Sequence, residues 1–335
     1  MNYQKRITQI WRHHDLENAV HNYKNLIRYA TMAASSHNTQ PWKFQLEPGR
    51  ITILPDLARR CPAVDPDDHH LYTSLGCAAA NLIEAASAAG LSSQIHYDEA
   101  ISGLIIDLET APVSRSALFD AIPKRQCSRT TYDGTEISSQ ELQQLEIAGS
   151  GDGVSLMFLT GDEKLKGVTE YVTKGNIAQI SDTTWVNELK TWIRFNGSHA
   201  VSTGDGLYGK SMGNPDAPKW LGNLILRFVL SPKSQNNKDM KNILSSSGVA
   251  VFYSDSDDRA HWIEAGRCYE RFALQAEALN LRTAFINPPV EVSELRSQFA
   301  SWLGIGNRRP DLVVRFGRGP KMPPSLRRPV EDVII

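Results

Sequence analysis

Two long helical segments with matched small and apolar positions constrain the fold of this chain more than any other feature. The first spans His69 to Gly90 and the second Ala260 to Asn280, and at an offset of 190 residues Gly266 falls on Gly76. The register continues without a gap, because the same offset pairs Phe272 with Leu82, Ala276 with Ala86, Leu279 with Ala89 and Leu281 with Leu91. The first segment is apolar on most of its faces, which predicts a buried helix at the centre of a domain. The pairing indicates a duplicated unit, although two amphipathic helices can also align this well by chance.

Strands around the two helices favour duplication over chance. Sequence patterns predict strands at 42–47, 50–55, 94–97 and 104–108 around the first helix, with Pro48-Gly49 as a turn. The second helix follows a predicted strand at 248–253 and leads into another at 282–286. We therefore predict an α+β fold of two halves, residues 1–122 and 123–335, that form an intrachain pseudo-dimer. An aromatic and Gly-rich insertion at about 160–245 has no counterpart in the first half, and we expect either a lid or an outer packing layer.

Charge and composition exclude several classes of partner. The formal net charge of −1 and the hydrophobic fraction of 41% describe a globular chain without a field that would attract nucleic acid or a membrane surface. No apolar run reaches the roughly 20 residues of a membrane span, and the N-terminus lacks a secretory signal pattern. The cysteines are far apart and predict reduced thiols in a cytoplasmic protein: Cys61, Cys77, Cys127 and Cys268. The pairs His13-His14 and His69-His70 lack further ligands, which predicts surface or capping residues and no metal site.

A polar turn precedes the first strand. The run Ser35-Ser36-His37-Asn38-Thr39-Gln40-Pro41-Trp42 offers hydroxyls, backbone N–H groups and two amides within one turn. Because Asn38 and Gln40 each carry a donor and an acceptor, such a turn can bind the polar edge of a planar heterocycle. The alternative is an ordinary loop between a helix and a strand, which polar residues before a proline also favour. The corresponding place in the second half, Gly149 to Gly153, lacks the amides and the Pro-Trp pair.

Two basic segments complete the set of candidate binding residues. In Lys124-Arg125-Gln126-Cys127-Ser128-Arg129 two arginines stand four residues apart and can converge on one phosphate dianion. Near the C-terminus, Pro310 to Gly317 is followed by Leu326-Arg327-Arg328-Pro329, where the prolines restrict the backbone. Taken separately, the first segment could be a solvated linker and the second a basic, Pro-rich tail.

These three elements, in this order, resemble the signature of the nitroreductase-like flavoproteins, and the Acg-like branch of single-chain tandem nitroreductases in particular. The resemblance implies a nitroreductase-like fold with one FMN between the halves, bound without a covalent link. It places Arg125, Cys127, Arg129, Arg327 and Arg328 at the phosphate and ribityl chain, although Cys127 stands where the family usually has Ser. It places Ser35, Ser36, Asn38 and Gln40 at the isoalloxazine edge and Asn287 near the N5 side. It implies no catalytic acid or base.

The activity implied by the resemblance is electron transfer from NAD(P)H through FMN to a small acceptor, such as a nitroaromatic compound or a quinone. The alternative is a protein that sequesters flavin, in which the insertion closes the site and turnover is slight. An internal pseudo-dimer is compatible with either a monomer or a homodimer. The resemblance also implies that the second, symmetry-related site at 149–153 has lost its function.

Overall fold

Strands in the described part of the chain form two four-stranded antiparallel sheets and a short parallel pair. The computed structural model describes residues 2–16, 22–218, 220–222 and 230–335. The strands, in chain order, are β1 (Trp42–Glu47), β2 (Arg50–Pro55), β3 (Leu91–Asp98), β4 (Gly103–Thr110), β5 (Val154–Leu159), β6 (Ile193–Arg194), β7 (Leu207–Tyr208), β8 (Gly248–Ser254), β9 (Arg282–Phe285) and β10 (Arg309–Gly317).

The two large sheets have the same topology. The first has the order β1-β2-β4-β3 and the second β5-β8-β10-β9, so each sheet places its last strand in the chain next to its second. In β1 the exposed and buried residues alternate along the first half of the strand, as the sequence pattern predicts for a sheet with one buried face. This arrangement confirms the predicted α+β fold, and all six of the strands named above occur with slightly different ends.

Helices flank and connect the sheets. The helices assigned within the described ranges are α1 (Tyr3–Ile10), α2 (Lys24–Thr31), α3 (His69–Ala88), α4 (Ala117–Ala121), α5 (Ser139–Gly149), α6 (Asp162–Ser181), α7 (Thr183–Trp192), α8 (Gly197–Thr203), α9 (Pro232–Leu244), α10 (Arg259–Ala278), α11 (Pro288–Glu291) and α12 (Ser293–Leu303). The helix expected around 17–34 is observed as α2, and residues 17–21 of that expectation lie outside the described residues. Helices α3 and α10 connect the second and third strands of their sheets in the chain, at equivalent places.

The centre of the molecule is the crossing of α3 and α10. A methyl group at Gly76 would overlap the carbonyl oxygen of Ile263, and one at Gly266 would overlap the carbonyl oxygen of Thr73. Thr73 and Ile263 are themselves 190 residues apart, so the two close approaches are related by the offset found in the sequence. Only glycine lets two helix backbones approach this closely, which explains why both positions carry it.

One continuous core joins the two halves. It contains Trp42 and Phe44 from the first sheet, Leu75 from α3, and Phe252 and Phe272 from the second half. The chain end also contacts the first sheet, because the backbone of Phe44 hydrogen-bonds to Val333 (2.7 Å) and Ile335 (2.9 Å). No helix in the described ranges is both long and apolar enough to cross a membrane.

The insertion lies between β5 and β8, where the first half has only the turn between β1 and β2. Its helices α6 and α9 pack on a second apolar cluster that includes Val168, Val172, Ile243 and Phe299. The boundary between the halves stays a prediction.

Candidate functional site

The turn at 35–40 has an unusual backbone. His37, Asn38 and Gln40 have φ values of 47°, 53° and 54°, in the left-handed region that residues other than glycine rarely adopt. Each such residue costs on the order of 1–3 kcal/mol, so the surrounding contacts must hold the turn in place.

The two amides of this turn are occupied by protein partners. Asn38 Nδ2 donates to the carbonyls of Gly206 (3.0 Å) and Leu326 (3.1 Å), and its Oδ1 accepts from Arg327. Gln40 Nε2 donates to the carbonyl of Gly204 (3.0 Å), and its Oε1 accepts from the backbone N–H of Arg328 (2.8 Å). Asn38 and Gln40 therefore join the insertion and the C-terminal segment to the turn.

Arg327 caps a helix. Its guanidinium donates to the carbonyls of Thr31, Met32 and Ala33 at the end of α2, at 2.8–3.0 Å, as well as to Asn38. Burial and the nearby Arg125 lower the pKa of Arg327 to about 9. A cation that satisfies the last carbonyls of a helix stabilises that helix end.

Arg125 belongs to a buried ion pair. Its Nε lies 2.8 Å from Glu270 Oε1 on α10, and its Nη2 donates to the carbonyl of Met32 (2.9 Å). The other Glu270 oxygen accepts the N–H of Ala34 (3.2 Å). This pair therefore fixes the start of the polar turn against the core of the second half.

Arg129 differs from these two arginines. Its side chain is half-buried and makes no hydrogen bond or ion pair with the described part of the chain. Arg315 Nη2 binds the carbonyls of Ser128 (2.9 Å) and Thr130 (2.8 Å), the two neighbours of Arg129, and so fixes the backbone that carries it. Arg129 can therefore pair with an anion.

Sequence reasoning missed Arg315, which fixes the backbone on both sides of Arg129. Arg315 interrupts the apolar run of β10, and that position inside a buried strand could have marked it.

A cavity of about 60 Å³ lies beside Arg129. Six of the predicted site residues line it: Ser35, Asn38, Arg125, Cys127, Arg129 and Arg327. Residues from three covering segments complete the walls: Trp11, Leu207 and Ser211 of the insertion, and Pro323 to Ser325. The structure thus brings the polar turn, the arginine segment and the C-terminal segment together, as the order of motifs predicts.

Four predicted residues do not line this cavity. The N–H of Ser36 donates to Ser74 Oγ (3.3 Å), and Asn287 Oδ1 accepts the N–H of Val313 (2.9 Å). Arg328 binds the carbonyl of Gln40 and faces Asp56, so Gln40 and Arg328 contact each other. Their roles toward a flavin stay predictions.

Two buried polar atoms near Arg129 have no hydrogen-bond partner among the described residues. They are His37 Nδ1 and Ser128 Oγ. Burial, Arg129 and His70 lower the pKa of His37 to about 4, so its ring is neutral at pH 7. Unpartnered buried polar atoms are uncommon in proteins, but neither His37 nor Ser128 lines the cavity.

The second histidine pair lies inside the protein. Of the predicted surface or capping roles, the surface position is wrong for His69 and His70, because both are buried and lie against Asp311 and Glu291 of the second half. Their ligand atoms lie within 4.8 Å of those of Asp65. The Asp65 carboxylate accepts the N–H groups of His70 (2.9 Å) and Leu71 (3.0 Å), and His69 Nε2 lies 2.9 Å from Asp311. Asp65 therefore caps the first turn of α3. The expectation that the histidine pair lacks a further ligand is wrong, because the Asp65 carboxylate lies beside it.

Comparison with known proteins shows similarity to nitroreductases. No family model matches the chain. A Mycobacterium tuberculosis H37Rv protein named "Putative NAD(P)H nitroreductase Rv3131" is 22% identical over 323 residues, which cover 93% of this chain and 90% of the relative. A second relative from that strain, "Uncharacterized protein Rv3127", is 23% identical and covers 93% of this chain and 92% of its own length. Both alignments therefore include both halves.

Solved structures give weaker matches. The FMN-dependent nitroreductase NfnB from Mycobacterium smegmatis, in complex with NADPH, aligns with a TM-score of 0.40 at 12% identity. That alignment covers 61% of this chain and 87% of the solved one. A nitroreductase with bound FMN from Desulfitobacterium hafniense has a TM-score of 0.42 at 12% identity and covers 66% of this chain and 98% of its own.

Proposed function

We propose that this protein is an FMN-dependent oxidoreductase that transfers electrons from NAD(P)H to a small acceptor of the nitroaromatic or quinone type. The observation that carries the proposal is Arg129, a half-buried cation without a protein partner in the described ranges, at the cavity where the predicted motifs meet. The name of the Rv3131 relative and the FMN and NADPH named for solved nitroreductases support it. We further propose a tandem of two nitroreductase-like halves, of the Acg-like branch, that acts as a monomer or homodimer.

The donors at the cavity fit the phosphate of FMN. Arg129, which lines the cavity, would supply two N–H groups to the phosphate. The cavity volume of about 60 Å³ is below the roughly 300–1,000 Å³ of ordinary ligand sites. Binding therefore requires the covering segments around Trp11, Leu207 and Pro323 to move outward, and in this proposal the insertion serves as a lid.

The protein's part in the reaction is binding, orientation and exclusion of water. When bound, FMN would supply the hydride and electron transfer. Arg129 would hold the phosphate end, while Arg125 and Arg327 fix the polar turn through Glu270 and the end of α2. Ser35, whose hydroxyl accepts the N–H of Gln40 (3.1 Å), would present its donor side to the ring.

The role of Arg129 is tested by comparing FMN with riboflavin, which lacks the phosphate. We expect Arg129→Gln to weaken FMN binding about 10- to 100-fold, because charge-assisted hydrogen bonds contribute about 1.5–3 kcal/mol. The same change should leave riboflavin binding nearly unaltered, and Lys124→Gln, at an exposed neighbour, should alter neither. Equal losses for both ligands would contradict phosphate binding at Arg129, and a native protein that binds no FMN would refute the cofactor.

Turnover is tested separately by mixing the FMN-loaded protein with NADPH or NADH in a stopped-flow instrument. Bleaching of the flavin within seconds would support the oxidoreductase. A bound flavin that neither nucleotide reduces would instead indicate a protein that sequesters flavin.

A further inference from the structure

A second and larger cavity lies on the other side of the insertion. Its volume is about 560 Å³, within the range of roughly 300–1,000 Å³ that is usual for small-molecule sites. Its walls come from three parts of the chain: residues 63–67 before α3, residues 178–185 of α6 and α7, and residues 291–296 from the end of α11 into α12. It shares no lining residue with the cavity at Arg129.

These walls are held together by the protein itself. Glu188 on α7 accepts the N–H groups of Ala63 (2.9 Å) and Val64 (3.1 Å), which fixes the insertion to the first half. Gln179 on α6 donates to Glu291 (2.6 Å), which fixes the insertion to the second half. These hydrogen bonds therefore hold the three wall segments of the cavity together.

The charge of the lining is negative. Four carboxylates and one guanidinium line it: Asp67, Asp182, Glu291 and Glu294 with Arg296. Asp67 is also paired with Arg309 (3.1 Å), which lies outside the lining. Arg296 is not free to bind an anion, since its Nη1 lies 3.7 Å from Asp67 and its Nε donates to the carbonyl of Val290. An anionic ligand would be repelled here and a cation attracted.

Of the lining carboxylates, Asp182, Glu291 and Glu294 form no ion pair with Lys or Arg in the described ranges, and Glu291 is the most buried of these three. Its side chain is 16% exposed, and its nearest basic group is His70, whose Nε2 lies 3.7 Å away. Burial lowers the pKa of His70 against the opposing effect of Glu291, and burial raises the pKa of Glu291 against the opposing effect of His70. A buried carboxylate without a cation is costly, and an ammonium group at the cavity would remove that cost.

The remaining walls suit an apolar body. Val64, Pro66, Ala178 and Val292 line the cavity together with Trp185, whose indole Nε1 is buried without a partner in the described ranges. An aromatic ring attracts cations and stacks on other rings. We propose that this cavity binds a small organic ammonium ion, with its charge at Glu291 and its apolar part against Trp185.

Three probes of matched size test the charge requirement on the intact chain by isothermal titration calorimetry: benzylammonium, benzyl alcohol and benzoate. We expect benzylammonium to bind at least about tenfold more tightly than benzyl alcohol, and benzoate to bind least. Saturation with FMN should leave this affinity unchanged, because the cavities have separate walls. Absence of benzylammonium binding, or equal binding of the three probes, would overturn the proposal whether or not FMN binds.

Two substitutions locate the site. Glu291→Gln keeps the size and an acceptor for Gln179, and should weaken benzylammonium binding about tenfold with little effect on benzyl alcohol. Trp185→Leu should weaken both probes. Glu170→Gln, at an exposed position on α6 outside the lining, is the matched control and should alter neither. Unchanged benzylammonium affinity in Glu291→Gln would place its binding elsewhere and refute the assignment.

Discussion

At the scale of single residues, three arginines that look alike in sequence have different tasks. Arg327 donates hydrogen bonds to the carbonyls at the end of α2, and Arg125 pairs with Glu270. Arg129 has no protein partner in the described ranges. The difference arises from burial, because a fully buried cation must be satisfied by the protein, whereas a half-buried one can await a ligand.

Arg327→Gln should therefore act on stability. The change removes a buried cation and leaves several carbonyls of α2 without donors, so we expect a loss of about 3 kcal/mol or more in the free energy of unfolding. Urea unfolding followed by circular dichroism measures it, with exposed Lys5→Gln as the control. A midpoint equal to that of the native protein would show that α2 does not depend on this cap.

His37 predicts a pH dependence. Its pKa is lowered from 6.5 to about 4 in the folded protein, so the unfolded chain binds the proton first as the pH falls. Above pH 6.5 His37 is neutral in both states and the free energy of unfolding is unaffected. As the pH falls toward 4, protonation of the unfolded chain lowers that free energy, by about 1–2 kcal/mol at pH 5. Asp65 and Asp311, whose pKa values burial raises to about 7, act in the opposite sense.

For that reason the measurement is a difference between variants. His37→Gln should lose less stability than the native protein between pH 7 and pH 5, because glutamine does not titrate. If both proteins lose the same amount, the imidazole of His37 is not shielded from protons.

At the scale of elements, the crossing of α3 and α10 depends on two glycines. Gly76→Ala and Gly266→Ala each place a methyl group against a backbone carbonyl of the opposite helix, which cannot move as a side chain tip can. We expect each to destabilise the protein by about 3 kcal/mol or more, beyond the gain that Gly→Ala usually brings in a helix. Gly209→Ala, where the nearest atoms would lie 3.7 Å away, is the control. Thermal unfolding measures the loss of stability in each variant. A small loss at both glycines would mean that the two helices can separate at little cost in free energy.

These elements could be predicted because their signals are local. The helix expected at His69 to Gly90 is His69–Ala88, and the 190-residue offset predicted that Gly76 and Gly266 hold equivalent places in the two halves. The crossing of the two helices at these glycines was not predicted. Partner choice could not be predicted, because Glu270 and the end of α2 are distant in sequence from the arginines that they bind. The amides of Asn38 and Gln40 likewise gave no sign that the carbonyls of Gly204 and Gly206 would occupy them.

At the scale of the whole molecule, the two halves share one hydrophobic core, and each half therefore depends on the other for stability. Leu75, Ala79 and Leu82 of α3 belong to a cluster that continues into Phe252 and Phe272 of the second half. Separated halves would expose this surface to water at a cost of about 25 cal/mol per Å². The candidate flavin site has the same dependence, since Arg129 and the polar turn come from different halves.

We therefore expect a chain cut between Val113 and Ser114 to fold only when both pieces are present. Val113 is 71% exposed, so the cut removes little packing. The piece 1–113 alone should show no cooperative unfolding, whereas co-expressed pieces should purify together and unfold in one transition. Gly266→Ala in the second piece should weaken this association, because it disrupts the crossing with α3. A first piece that unfolds cooperatively by itself would show instead that the halves are independent domains, and the flavin site would then have to form by docking rather than by folding.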